Sequence, residues 1–193
     1  MRNLHEYLRI HSDILESYNN EGSISELIES ISNLSRDNNS IIFTAGNGGS
    51  ASTAEHFSAD LSQMEKRTGI KIRSICLNTQ VSLSSAFSND ISYENALVNQ
   101  LSSYNNCNFL FVGFSASGNS ENIVRAMEYS LRLGKEVYCF VGFNGGKMVE
   151  LDKVKAVFFS DGNRDYGIAE NLHLITTHFI IDRLVEKFQK SSL

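Results

Sequence analysis

No proline occurs in this 193-residue chain, against an average usage of about 5%; no functional reading follows from that. Other scarcities exclude more. No stretch approaches the ~18 uninterrupted apolar residues of a membrane span, and the N-terminal MRNLHEYLRI has no apolar core of a leader; neither secretion nor membrane insertion is expected. Lys and Arg number 17 against 22 Asp and Glu, a net charge of -5, with no dense basic cluster. A nucleic-acid-binding face is therefore not expected. Cysteine is limited to Cys76, Cys107 and Cys139. They are odd in number, widely spaced and without a C-x-x-C pair, so they read as thiols in a reducing, cytoplasmic compartment and not as disulfides or a zinc ribbon.

What is present is a strand–helix alternation. Residues 3–36 read as helical, with Leu4, Leu8, Ile14 and Leu15 in rough helical period. SISE at 23–26 predicts a capping box, Ser23 capping and Glu26 reaching back, and Leu27, Ile31 and Leu34 form a second apolar face. The leading helix has no strand of its own to cover, and a contact with a second subunit suits it. From residue 40 the short apolar runs SIIFTAG, IRSICLN, NFLFVGF, EVYCFVGF and VKAVFFS alternate with helical segments, one ending at Gly134. Runs apolar on both faces are what a parallel sheet covered by helices requires. The expectation is an α/β fold, a doubly wound five-stranded parallel sheet flanked by helices. No linker or repeat divides it: one domain over 1–193, with an N-terminal helical segment at 1–38 and the core plus C-terminal helix at 39–193. The last helix, about 168–189, is apolar nearly all round (Leu172, Leu174, Ile175, Phe179, Ile180, Ile181, Leu184, Val185, Phe188), which predicts burial between subunits of a homo-oligomer.

Three post-strand loops combine Gly with Ser or Asn: GNGGS (46–50), SASGNS (115–120) and GFNGGK (142–147). The first two open helices. Free helix-terminal amides beside small residues make an anion site, and Ser50, Ser115, Ser117 and Ser120 add hydroxyls. The spacings fit neither dinucleotide nor nucleoside-triphosphate loops, so a single phosphate is the better match and no nucleotide cofactor is expected. His56 and Asp60 stand four apart, on one helix face; Glu170, His173 and His178 follow in the last segment. Carboxylates and imidazoles beside a phosphate site suit proton transfer α to a carbonyl, through an enediol. The same set suits a divalent metal that polarises the carbonyl. Taken singly, His56 would be a satisfied half-buried residue and Asp60 an ordinary surface carboxylate.

With GNGGS…HF, Asn89-Asp90, S-x-SGNS, G-x-x-GGKM and the E-N-L-H…H ending, the chain resembles the SIS, or sugar isomerase, domain family, and within it the phosphoheptose isomerases. The resemblance spans almost the whole chain. It implies an aldose–ketose isomerase acting on sedoheptulose 7-phosphate and D-glycero-D-manno-heptose 7-phosphate, for surface-polysaccharide heptose. It also implies a flavodoxin-like fold and a homotetramer with sites at subunit interfaces. By position, Asn47, Gly48, Gly49, Ser115, Ala116, Ser117 and Ser120 would contact the phosphosugar, with Ser50 nearby and Asn89 and Asp90 on its hydroxyls. His56, Asp60, Glu170 and His178 fall where the family holds one zinc ion and its acid–base pair, so Glu170, His178 and Asp60 are the catalytic candidates. Four departures stand out. Asp60 replaces a glutamate, Glu170 a glutamine, Ala116 a threonine and Met64 a basic residue. They leave open another phosphosugar substrate. A non-catalytic sugar-phosphate sensor or adaptor is the remaining alternative; it predicts loss of the acid–base residues, and His56, Asp60, Glu170 and His178 are all present. In a continuous helix Glu170 and His178 would lie ~12 Å apart along the axis. To share a site, Glu170 must precede the helix or come from a different subunit.

Overall fold

The computed structural model describes residues 2–160 and 162–191. Helix α1 (Leu4–Ser17) is capped by Asn3, whose side chain accepts from the Glu6 N–H while Glu6 reaches back to the Asn3 N–H. This is the reciprocal box expected at SISE. There it is absent, because α2 (Glu21–Leu34) begins two residues before Ser23 and carries Ser23 and Glu26 within its body. Asn20 precedes α2 without capping it, since its carboxamide is engaged elsewhere.

The sheet consists of β1 (Ile41–Ala45), β2 (Ser74–Cys76), β3 (Phe109–Ser115), β4 (Glu136–Val141) and β5 (Lys155–Phe158). All neighbours are parallel, in the order β2-β1-β3-β4-β5. The five-stranded α/β expectation holds. Every residue of β1 and β3 is buried, and alternate side chains feed two cores. Ile42, Leu110, Val112, Phe114, Phe140 and Val157 pack toward α2, α3 (Gly49–Ser62) and α9 (Tyr166–Ser191). Ile41, Phe43, Phe109, Phe111, Val137 and Val141 pack toward α6 (Tyr93–Ser102) and α7 (Glu121–Arg132). Each such side chain is worth about 1.5–3 kcal/mol when fully buried, so neither face of the sheet can be left uncovered.

Shorter pieces complete the chain: α4 (Met64–Thr68), a 3₁₀ turn at Leu77–Thr79, α5 (Val81–Asp90) and α8 (Gly146–Glu150). Gly134 ends α7 as expected. Its φ is +70°, its N–H reaches the Leu131 carbonyl, and the Lys135 N–H reaches that of Ser130, the paired bonds of a Schellman turn. Edge strand β5 is closed by a side chain: Asn20 Nδ2 donates to the Phe158 carbonyl at 2.8 Å, and the Phe158 N–H donates to Asn20 Oδ1 at 2.9 Å. An exposed row of unpaired groups is thereby shortened.

Helix α9 buries Leu172, Ile180, Ile181, Leu184 and Phe188, but Ile175 and Phe179 remain about half exposed, as does Leu8 on α1, and Leu4 is more exposed still. Burial all round is thus not reached within one chain. The three cysteines are free thiols, and burial raises that of Cys139 to about 12. No described helix is long and apolar enough to cross a membrane.

Candidate active site

Strand β1 has β2 on one side and β3 on the other. Chain connections therefore diverge at the carboxyl ends of β1 and β3, the place where open α/β sheets leave a crevice for ligands. The first two glycine loops lie there. After β1, the Gly46 N–H donates to Asn78 Oδ1 at 3.0 Å and Asn78 Nδ2 returns to the Gly46 carbonyl at 2.7 Å. Gly48, at φ +54° and ψ −126°, takes a backbone conformation that side-chain-bearing residues avoid. Helix α3 then starts at Gly49 with no side-chain cap from its own loop.

That vacant helix end is met by Glu170. Its carboxylate lies against Gly49, where a Cβ would overlap it. Burial raises the Glu170 carboxyl above its ordinary range, and the nearby Ser50 backbone N–H partly opposes this. A carboxylate on free amides at a helix N-terminus is electrostatically favoured.

After β3, the hydroxyls gather. Ser115 Oγ lies 2.9 Å from Ser120 Oγ and 3.5 Å from Ser117 Oγ, and accepts from the Gly118 N–H at 3.1 Å. Ala116 is buried and adds only a methyl group. Ser120 precedes α7 without capping it, which leaves the first amides of α7 beside three hydroxyls. The third glycine loop supports the second. The Met148 N–H donates to the Gly118 carbonyl, the Gly142 N–H to the Ala116 carbonyl and the Lys147 N–H to Asn119 Oδ1. Gly118, at φ +65°, leaves no space for a side chain because the Gly145 carbonyl occupies it.

The imidazoles meet farther along α3. His56 Nε2 lies 3.0 Å from His178 Nε2 and 3.4 Å from Asp60 Oδ2. One ligand atom from each of the three residues falls within 4.8 Å of the others. Tetrahedral zinc with Zn–N distances of about 2.0–2.1 Å holds two nitrogens ~3.3 Å apart, so the cluster fits such an ion in donor type and spacing. Two nitrogens and a carboxylate with a further position open is also the ligand pattern of catalytic rather than structural zinc.

Glu170 lies apart from this group. Helix α9 is continuous from Tyr166, so Glu170 is inside it and ~12 Å of helix axis separates it from His178. Helices α3 and α9 pack side by side; Glu170 meets the first turn of α3, and His178 meets His56 two turns on. Within one chain the expected four-residue metal set is therefore three residues, with Glu170 at a separate station. Asn89 and Asp90 end α5 and hydrogen-bond to each other at 2.9 Å; α5 rests on α6 and the 3₁₀ turn. Met64 is fully buried in the core. His173 is fully buried against Phe114 and Phe140, with neither ring nitrogen hydrogen-bonded; burial lowers its pKa to about 4. It is a neutral core residue.

Sequence reasoning missed three side chains that shape the first loop: Asn78, Tyr93 and Asn122. Asn122 had a legible signal. It lies on one helical stripe with Ala126 and Ser130, all three buried, and a polar amide on a buried stripe needs a partner.

A model of the SIS domain matches residues 6–142. The chain belongs to the SIS domain family. A phosphoheptose isomerase of Sulfurimonas denitrificans is 35% identical over 175 residues, covering 88% of this chain and 86% of its own. One from Helicobacter pylori strain P12 is 32% identical over 166 residues, covering 86% and 82%. Among solved structures, phosphoheptose isomerase GmhA from Neisseria gonorrhoeae superposes with a TM-score of 0.78 at 24% identity, covering 93% of each chain. The last likeness supports the fold. In this SIS domain the histidine cluster and Glu170 are mounted on α3 and α9, which cover one face of the five-stranded sheet.

Proposed function

We propose that this phosphosugar isomerase interconverts sedoheptulose 7-phosphate and D-glycero-D-manno-heptose 7-phosphate in the cytoplasm, as a step toward activated heptose for surface polysaccharide. The observation that carries the reading is the His56–Asp60–His178 cluster on the same helix pair as Glu170, beside two glycine–serine loops. The two helix N-termini are not equivalent. That of α3 already receives the Glu170 carboxylate, whose charge would repel a phosphate. The phosphate therefore belongs at the start of α7, on the Ser115, Ser117 and Ser120 hydroxyls. Asn47, Gly48, Gly49 and Ser50 line the sugar end.

In this reading a base removes a proton from C1 of the ketose, a cis-enediol forms, and a proton returns at C2 to give the aldose. Glu170 is the proposed base. Burial raises its pKa, the direction in which a carboxylate becomes a better proton acceptor. Without a metal, His178 is the proposed partner that handles the proton at the neighbouring oxygen; with zinc bound it would serve as a ligand instead. A zinc ion held by His56, Asp60 and His178 would supply polarisation of the carbonyl. The two stations of one chain would be completed between subunits of a homotetramer, which would also cover Leu4, Leu8, Ile175 and Phe179 and bring in Asn89 and Asp90.

The test is turnover of sedoheptulose 7-phosphate by purified protein, as isolated, after chelation, and with zinc restored. Loss on chelation and recovery with zinc supports both substrate and metal. Turnover indifferent to metal removes zinc from the reading and leaves a plain acid–base pair. Binding of the sugar phosphate with no turnover favours a sensor. Asp60 and Ala116, shorter than the family's usual residues, support a second reading, a related phosphosugar; competition among five- to seven-carbon ketose phosphates decides between the two.

A further inference from the structure

Asn47 is the first polar side chain of the β1 loop, and its carboxamide is held on two sides. Asn47 Nδ2 donates to Asn122 Oδ1 at 2.9 Å, and Asn122 Nδ2 donates back to Asn47 Oδ1 at 2.9 Å. Tyr93 Oη adds a third bond, donating to Asn47 Oδ1 at 2.7 Å. An amide oxygen has two acceptor sites and an amide nitrogen two hydrogens. Both acceptor sites of Asn47 are filled, and one N–H is left.

We propose that Tyr93 and Asn122 are positioning residues that fix the Asn47 carboxamide so that it meets the phosphosugar as a hydrogen-bond donor only. The inference rests on the reading of Asn47 as a substrate contact. Its specificity consequence is definite: the atom opposite Asn47 is an oxygen that accepts, on the phosphate or on a sugar carbon. A hydroxyl that must donate finds no acceptor there.

The two positioning residues stand on rigid elements. Tyr93 is the first residue of α6, behind the Ser92 cap, whose hydroxyl accepts from the Asn95 N–H. Asn122 is buried in the first turn of α7, the helix whose start carries the three-serine loop. Arg125 of α7 ties the two helices by donating to Asn95 Oδ1 on α6, and is itself braced within α7 by Glu121 Oε1. Asn122 therefore sets the distance between the loop that would hold the sugar and the loop that would hold its phosphate. A reciprocal amide pair is suited to this, since two parallel bonds fix orientation as well as distance.

The experiment compares Tyr93→Phe, Asn122→Leu and Asn122→Asp with the unmodified enzyme, by steady-state kinetics on sedoheptulose 7-phosphate and by thermal unfolding, from about pH 8 to about pH 5.5. Tyr93→Phe and Asn122→Leu are expected to raise KM about tenfold with kcat changed less than about threefold, the pattern of lost uniform binding. Asn122→Asp is the diagnostic variant. As a carboxylate it cannot donate to Asn47 Oδ1, but as a neutral carboxyl its O–H can. Because position 122 is buried, a carboxyl there has its pKa raised, so the variant's KM, divided by that of the unmodified enzyme at the same pH, should fall toward one as pH falls. A flat ratio, or losses that track Tm alone with KM unmoved, overturns the proposal. An unmodified enzyme that turns the sugar over while all three variants match it overturns this inference and leaves the functional reading standing. An unmodified enzyme that neither binds nor converts the sugar overturns both.

Discussion

His56 and His178 meet Nε2 to Nε2 at 3.0 Å although 122 residues separate them. At that distance one ring must donate and the other accept, or both must turn their lone pairs to a shared cation. Asp60, 3.4 Å from His56, supplies the negative charge that favours the cation. His56→Ala and His178→Ala should each release the metal, read as zinc per subunit by elemental analysis after dialysis. His178→Ala should also lower kcat by about 10²–10⁴-fold. Full zinc retention in both variants would remove the cluster from the metal assignment.

Gly49 faces a different constraint. A Cβ there overlaps the Glu170 carboxylate, yet Gly49 lies in helical backbone with no positive φ. Gly49→Ala should therefore change Tm little, because the helix preference for alanine over glycine, at most about 1 kcal/mol, is offset by loss of the carboxylate from the helix N-terminus. Displacing the carboxylate should cost turnover roughly 10²-fold. A variant as active as its parent would show that Glu170 is not needed at that position.

His173 predicts an acid-sensitive fold. Its folded pKa is depressed to about 4, whereas the unfolded chain protonates near the ordinary value of 6.5. Between those values the unfolded state binds more protons, so stability is full above about pH 6.5 and falls as pH drops toward 4. The loss from this residue is on the order of 3 kcal/mol. His173→Leu, which also removes two unpaired buried nitrogens, should flatten that part of the profile in denaturant titrations. An unchanged slope would assign the acid sensitivity to other groups.

Asn20→Ala should lower stability by about 1–3 kcal/mol, because it strips both partners from the Phe158 peptide groups. Amide hydrogen exchange at Phe158 would rise selectively if the strand edge opens as expected. Uniform exchange across the sheet would show a global effect instead.

Much of this was legible along the chain, for identifiable reasons. Strands apolar on both faces and Gly134 after α7 are local patterns with one structural meaning. SISE was misread because Ser followed three residues later by Glu also occurs inside helices. Helix α2 starts directly after the non-helical Tyr18–Asn20, and Asn20 is drawn away to a strand 138 residues distant. Asn122 and Tyr93 were missed because their partner, Asn47, lies 75 and 46 residues away. The grouping of Glu170 with His178 was tested by helix geometry, and the continuous α9 set them two turns apart.

The sequence by itself determined the parallel α/β fold, the loops at helix starts, and the residue types needed for proton transfer. Each of these rests on periodicity or on chemistry carried by a few adjacent residues. Tertiary structure alone decided which groups share a station. It placed His178 on His56 and Asp60, Glu170 over Gly49, and Asn122 with Tyr93 around Asn47. Such pairings arise from the packing of α9 on α3 and of α6 on α7, which depends on burial summed over the whole sheet and not on any local run of residues.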